Sequence, residues 1–280
     1  VSDENKAKLK MSFVSRRGDE LQQLAKKTVN DPENQEKNTK AIASTVKQIT
    51  EDVKEVQKHL DKIEKASPAS DVIDTAKVID EKTLKVEKDI INANVNLAIE
   101  VKKDVAKEVK EAIAETGAVG SQALKVIVNK NEEQKASNSE EKITEKELTN
   151  RVSERIKNSE VVVATLAAEV SKIATTSEAI LAKSSNTLIV STVSSSSATN
   201  LSSTTLKEAV KDVSEAPIVA KAVIEEAKNL LENKDYVSAI NKITESKVIA
   251  AEVIEKAPII DSQIKTENSS STSVTSTAVK

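Results

Sequence analysis

The chain has 280 residues, 31% of them charged, with a formal net charge of −3 and no cysteine. Disulfides, thiol catalysis and zinc–thiolate sites are thereby excluded, and interspersed acids and bases leave no basic footprint for nucleic acid. Phe13 and Tyr236 are the only aromatic residues, so a core must be built from Val, Ile, Leu and Ala, and three glycines with four prolines are too few for the turns of a sheet protein.

The first expected helix starts near Ser2 or Asp3, where Asp3 and Glu4 complement the positive end of the helix dipole. Leu9, Phe13, Leu21 and Leu24 mark its expected buried side, and Asp31–Pro32 ends it. The second helix runs to about Ala66 and carries the cleanest pattern in the chain. Ile42, Val46, Ile49, Val53, Val56, Leu60 and Ile63 follow at alternating spacings of four and three. That alternation places every one of them on a single narrow stripe, the seam of a coiled coil or long bundle. Ser67–Pro68 breaks it.

The seam resumes at Val72, Ala76, Ile79, Thr83, Val86, Ile90, Ala93 and Leu97. It then drifts to a four-residue spacing at Val101, Val105 and Val109, a point at which the partner helix is expected to change. This third helix is expected to reach Thr116, with Gly117 as its C-terminal cap and Gly120 closing a short break. Ala123–Val128 is a brief apolar stretch, and Asn129–Glu141 reads as a polar linker.

A fourth helix is expected from about Thr144 to Lys183 on the seam Leu148, Val152, Val163, Leu166, Val170 and Ile173. Ser184–Thr205 is rich in Ser and Thr, which compete for backbone hydrogen bonds, and reads equally as frayed helix or loop. From Leu206 the helical pattern returns and is interrupted near Pro217. Ile218–Glu232 and Val237–Ala257 then form a hairpin joined at Asn233–Tyr236, with Pro258 as its end. The hairpin resembles a single tetratricopeptide-type unit in which Leu230, Tyr236, Ala239 and Ile240 pack two helices together; a solenoid needs about three such units. Asn268–Lys280 has no helical period and reads as disordered.

The fold class expected is therefore all-α: long heptad-patterned helices in an elongated coiled coil or helical bundle, with a disordered Ser/Thr-rich tail. Residues 1–116 form a long helical hairpin region, 117–143 a break and polar linker, 144–205 a long helix with a Ser/Thr-rich end, 206–267 the C-terminal helices, and 268–280 the tail.

Chemistry has little to work with. His59 is the single histidine and reads as a solvated helix-face residue rather than a ligand or general base. Carboxylate pairs such as Glu51–Asp52, Glu140–Glu141 and Glu225–Glu226 sit in exposed helical patterns beside lysines, whereas acid catalysis needs a desolvated carboxyl group. Three scattered glycines make no phosphate loop. No catalytic, cofactor-binding or metal-ligating residue is expected, and no cofactor. The expected partner is another protein, or a second copy through the helix seams. Nucleic acid is not expected, and Lys and Glu are too evenly mixed for a strong membrane-surface signal. No apolar run reaches the roughly 18–20 residues that cross a bilayer.

The segment Asp3-Glu4-Asn5-Lys6-Ala7-Lys8-Leu9-Lys10-Met11-Ser12-Phe13-Val14-Ser15-Arg16-Arg17-Gly18-Asp19-Glu20-Leu21 resembles the opening of a bacterial family, the domain of unknown function 5667. Its members share a polar helix start, a Lys-Ala-x-Leu core, a Phe or Leu, an Arg pair and a Glu-Leu step. Many also end in a Leu-Leu-Glu-x-x-Asp-Tyr-x-x-Ala hairpin like that around Tyr236, and Gly18 stands where a Leu is usual. Members commonly carry a signal or membrane-spanning segment before this helix. The resemblance thus implies an extracytoplasmic or cell-surface helical domain with no reaction, in keeping with a chain that opens on Val1 and is expected to have lost an upstream segment. The resulting expectation is a non-enzymatic structural or interaction protein of a bacterial cell envelope. The alternative is a stress or desiccation protein of the late-embryogenesis-abundant type, on the strength of the Lys/Glu/Ala/Val character of Val101–Ala112.

Overall fold

The computed structural model of the protein describes residues 2–137, 143–184 and 203–272. These form seven α-helices, α1 (Asp3–Asn30), α2 (Gln35–Ala66), α3 (Ala69–Asn96), α4 (Ile99–Ala136), α5 (Glu145–Ser184), α6 (Ser203–Glu232) and α7 (Tyr236–Thr272), with one 3-10 turn at Pro32–Asn34. No strand occurs among them.

The heptad stripes explain why these helices pack. All seven seam residues of α2 from Ile42 to Ile63 are buried, as are the seven of α3 from Val72 to Ala93 and Leu97 just beyond it. Each large aliphatic side chain removed from water contributes about 1.5–3 kcal/mol, so a stripe of this length commits a helix to a partner. Cross-contacts give the directions. Lys10 and Arg17 meet Asp52 while His59 meets Asp3, so α1 and α2 are antiparallel. Lys82 meets Ser12 while Gln22 meets Asp89, so α1 and α3 are parallel; Thr39 shares a pocket with Asp104 while Lys54 meets Glu111, so α2 and α4 are parallel. Lys110 meets Glu255 and Thr244 meets Ser121, so α7 runs antiparallel to α4. Consecutive helices therefore alternate in direction. The first four make a square bundle, α7 lies against α4, and α6 covers α5 and α7.

Helix α1 buries a different stripe from the one its large side chains suggest. Ala7, Met11, Val14, Gly18, Leu21, Ala25 and Thr28 keep the four–three spacing and face inward, whereas Leu9 is 54% exposed and Phe13 37% exposed beneath the Arg16 guanidinium. Small residues at three of those seven positions let α1 lie close to its neighbours, which outweighs the size of Leu9 and Phe13.

Several expected helix ends fall elsewhere. The third helix stops at Asn96, where Leu97 turns extended with φ −77° and ψ 146°, at the place where the seam begins to drift. Asn92, Asn94 and Asn96 are poor helix formers, and the Asn96 side chain donates to the Asn92 carbonyl instead of supporting another turn. The expected break at Gly117–Gly120 and the expected linker from Asn129 as far as Ala136 are helix: α4 passes through them, 38 residues and roughly 57 Å long. Neither glycine has positive φ, so neither acts as a cap. Pro217 and Pro258 likewise lie inside α6 and α7. Each removes one backbone donor, but both are buried and the packing around them holds the helix together. The Ser/Thr-rich stretch is helical from Ser203; residues 185–202 and 273–280 lie outside the described residues, as do Glu140 and Glu141.

The α6–α7 turn forms as the hairpin pattern suggests. Asp235 N–H donates to the Leu230 carbonyl and Lys234 N–H to the Leu231 carbonyl, both at 2.9 Å, a Schellman closure. Lys234 sits at its left-handed position with φ 60°. Asp235 then caps α7 by accepting from the Ser238 N–H at 3.1 Å.

Candidate functional site

The residues of greatest chemical interest lie where α5 and α7 meet the α3–α4 pair. Helix α3 supplies Asp80, Thr83 and Glu87, α5 supplies Arg155 and Asn158, and α7 supplies Lys247. Their burial is nearly complete: the charged side chains are 6% (Asp80), 3% (Glu87), 0% (Arg155) and 4% (Lys247) exposed.

Arg155 donates from all three of its guanidinium nitrogens. It donates from Nε to the Asp80 carboxylate at 2.6 Å and from Nη1 to the Glu87 carboxylate at 3.0 Å. Its Nη2 donates to the Asp80 backbone carbonyl at 2.9 Å and to the Thr83 hydroxyl at 2.6 Å. Glu87 in turn accepts from the Asn158 amide at 2.9 Å and from the Lys247 ammonium at 2.6 Å. Two carboxylates and two cations balance in charge. This satisfies the condition for charge in a low-dielectric interior, where an unpaired ion is several kcal/mol unfavourable.

Room for these long side chains comes from α4. A Cβ at Gly117 would lie 3.0 Å from the Lys247 Cδ, and one at Gly120 would overlap the Arg155 guanidinium. The third glycine behaves alike: a Cβ at Gly18 would lie 2.7 Å from the Asp89 carboxylate, which accepts from Gln22 at 2.6 Å and Lys85 at 2.7 Å. All three glycines of the chain are helix-interior slots for a charged side chain.

The surroundings set the protonation states. Burial pushes Glu87 upward, but the charges of Lys247 and Arg155 outweigh it and hold its carboxyl below the ordinary carboxylate range. Burial pulls Lys247 below the ordinary ammonium range; Glu87 opposes the shift, and the nearby Arg155 charge adds to it. Burial also disfavours the charged form of Arg155, and Asp80 and Glu87 overcome it, leaving the guanidinium still more firmly protonated.

The charges extend along the whole α3–α5 seam. Toward the N-terminal ends, Arg151 donates to Asp80 at 3.1 Å and to Glu81 at 2.8 Å, and Lys77 meets Glu147 at 3.0 Å. Past the cluster, Ile91 and Val162 face a cavity of about 220 Å³ that Lys88, Glu154 and Lys157 also line. Farther on, Lys102 pairs with Glu169 beside a groove of about 510 Å³ floored by Leu97, Ile99, Ile173, Ile254 and Pro258.

The residues weighed in the sequence are placed as follows. His59 is 18% exposed, with Nδ1 2.9 Å from the Asp3 carboxylate, tying the start of α1 to the end of α2. Asp52 meets Lys10 and Arg17, Glu225 meets Lys228 at 2.9 Å, and Glu226 meets Lys242 at 2.8 Å. Leu230 and Tyr236 are half-buried, Ala239 and Ile240 are buried, and the Tyr236 hydroxyl lies 2.9 Å from the Thr149 hydroxyl on α5. None of these belongs to the cluster. No local motif singles out Asp80, Glu87, Arg155 or Lys247; their one signal in the sequence is charge standing among seam residues, as Asp80 beside Ile79 and Glu87 beside Val86.

Among the described residues no three His, Asp or Glu side chains are grouped to hold a metal ion, and no helix is long and apolar enough to cross a membrane. A separate apolar feature lies on the α5–α6 edge, where Val163, Ala164, Ala167, Pro217, Ile218 and Ile224 line a groove of about 510 Å³ and Ile218 is 70% exposed.

No family model, curated protein or solved structure matches the chain. The resemblance to the domain of unknown function 5667 rests on the quoted residues alone.

Proposed function

We propose that this protein is a non-enzymatic helical structural or interaction module. The observation that carries the reading is how its charge is used. Asp80, Glu87, Arg155 and Lys247 neutralise one another in the interior, and the carboxylates of the surface pairs meet lysines and arginines on neighbouring turns and helices. Charge here aligns helices. The heptad seams are buried within the chain, and the α5–α6 edge, with its apolar groove and exposed Ile218 and Val219, is the surface we assign to a protein partner or a second copy.

An elongated, coiled-coil-like shape belongs to the same proposal, as does placement outside the cytoplasm of a bacterial cell, which the family resemblance implies. Small-angle scattering tests the first, and protease accessibility on intact cells the second. The reading itself is tested by circular dichroism of the purified chain in plain buffer. High helicity lost in one cooperative melt, with neighbours captured by cross-linking through the α5–α6 edge and lost in I218K, supports it. A coil-like spectrum that turns helical only on drying or on lipid vesicles overturns it in favour of the desiccation-type protein.

A further inference from the structure

The α3–α5 seam differs in kind from the other helix pairings. Helices α3 and α5 run parallel, and their backbones approach closely at few points. What joins them is long side chains: Lys77 to Glu147, Arg151 to Asp80 and Glu81, Arg155 to Asp80 and Glu87, Asn158 to Glu87. The apolar residues of α5, from Val163 through Leu166 and Val170 to Ile173, recur at heptad spacing. That stripe packs on α6 and α7, Val163 beside Ile218 and Ile224 and Ile173 beside Ile254, so it holds α5 to those helices and leaves its axial position against α3 to other contacts.

We propose that the Asp80–Glu87–Arg155–Lys247 cluster is a register lock, which selects one axial position of α5 and α7 against α3 and α4 from among positions that apolar packing alone leaves nearly equivalent. Three features of the cluster work only in the observed position. The four donations of Arg155 end on acceptors of α3 between Asp80 and Glu87. Glu87 joins Asn158 of α5 and Lys247 of α7, so it fixes both helices to α3 with one carboxylate. The slots that admit Lys247 and Arg155 are single positions on α4, Gly117 and Gly120, flanked by Thr116, Ala118, Val119 and Ser121, all of which carry a Cβ. A slip of one helical turn, about 5.4 Å, would bring one cation near the other glycine but press its companion against a side chain, and would part Asp80 and Glu87 from their donors on α5 and α7. Selecting position through buried charge, with little gain in stability, is the best-attested use of such groups.

The native chain has no cysteine, so spin labels can be placed at two exposed positions, Asp71→Cys on α3 and Lys172→Cys on α5. Their separation, measured by pulsed electron–electron resonance, reads the axial register directly. The native cluster is expected to give one narrow distance. The variant D80L/E87M/R155M/K247M, with an apolar interior of similar volume, is expected to fold with an equal or higher urea midpoint and to show a broadened or multiple distance distribution. A single peak at the native distance and width in that variant overturns the proposal. Should the quadruple variant not fold, G120A in the otherwise native labelled chain takes its place. Its added methyl displaces the Arg155 guanidinium, so a shifted or broadened peak is expected, and a native peak overturns the lock.

Discussion

The α1–α2 seam and the α3–α5 seam join long helices by opposite means. Between α1 and α2 the centre is apolar, with Met11, Val14, Leu21 and the full Ile42–Ile63 stripe buried, and ion pairs such as Lys10–Asp52 lie at the rim. Between α3 and α5 the charges are central and the apolar pair Ile91 and Val162 stands beside a cavity. The first arrangement supplies adhesion, because burial is non-directional and scales with area. The second supplies position, because a hydrogen bond between charged groups tolerates little displacement. One chain thus separates strength of packing from choice of packing.

The largest expected break in this comparison is Glu87→Ala. It leaves Lys247 and Arg155 buried without their shared acceptor, a loss of about 3–5 kcal/mol, read as a fall in the urea midpoint. A midpoint unchanged from the native chain would mean that the cations find water and the seam is wet. The same carboxyl shapes the acid limb. Its folded pKa is depressed below the ordinary 4.5, so between the two values the unfolded chain binds more protons and stability rises with pH. Its contribution is complete above that ordinary value and is lost as pH falls through the folded one. Facing it are Arg155 and Asn158 from α5 and Lys247 from α7, with Gly117 of α4 beside it and Asp80 reached through Arg155. Glu87→Gln is expected to flatten the fall in thermal stability below that range, and an unaltered acid limb would assign it to other carboxylates.

Next in size is Gly120→Ala. In an open helix this change stabilises by about 0.5–1 kcal/mol. Here the methyl meets the Arg155 guanidinium, and overpacking of about 1–3 kcal/mol reverses the sign. A stabilised G120A would mean that Arg155 has an alternative seat. On the apolar side, Ile49→Val removes one methylene from the α2 stripe and is expected to lower stability by about 0.5–1.5 kcal/mol without altering the register between α3 and α5. A register change in I49V, read by the same spin labels, would show that the two seams are coupled. Smallest is Lys234→Gly at the α6–α7 turn. It relieves a left-handed backbone at φ 60° and should gain about 1 kcal/mol, visible as a higher melting temperature with the register unmoved.

What could be read in advance follows the same division. The stripes from Ile42 to Ile63 and from Val72 to Leu97 declare buried helix faces because heptad spacing is a local property of the chain. The hairpin at Tyr236 was equally legible from its turn residues. The glycines were misleading for a physical reason: Gly117 and Gly120 carry the local signature of a helix stop, yet their purpose is set by Lys247 and Arg155, more than thirty residues away in sequence. On α1, large Leu9 and Phe13 outweighed small Ala7, Gly18 and Ala25 in the reading, although the small residues hold the inward positions.

By itself the sequence determined that the fold is helical, which stripes of α2 and α3 are buried, and that cysteine chemistry is excluded, because composition and periodicity act through neighbours along the chain. Only the tertiary structure decided which helices meet, where α3 ends, and that Asp80, Glu87, Arg155 and Lys247 form one neutral cluster. Those outcomes depend on charges and slots brought together from four helices, and no local pattern encodes which distant carboxylate a buried cation will find.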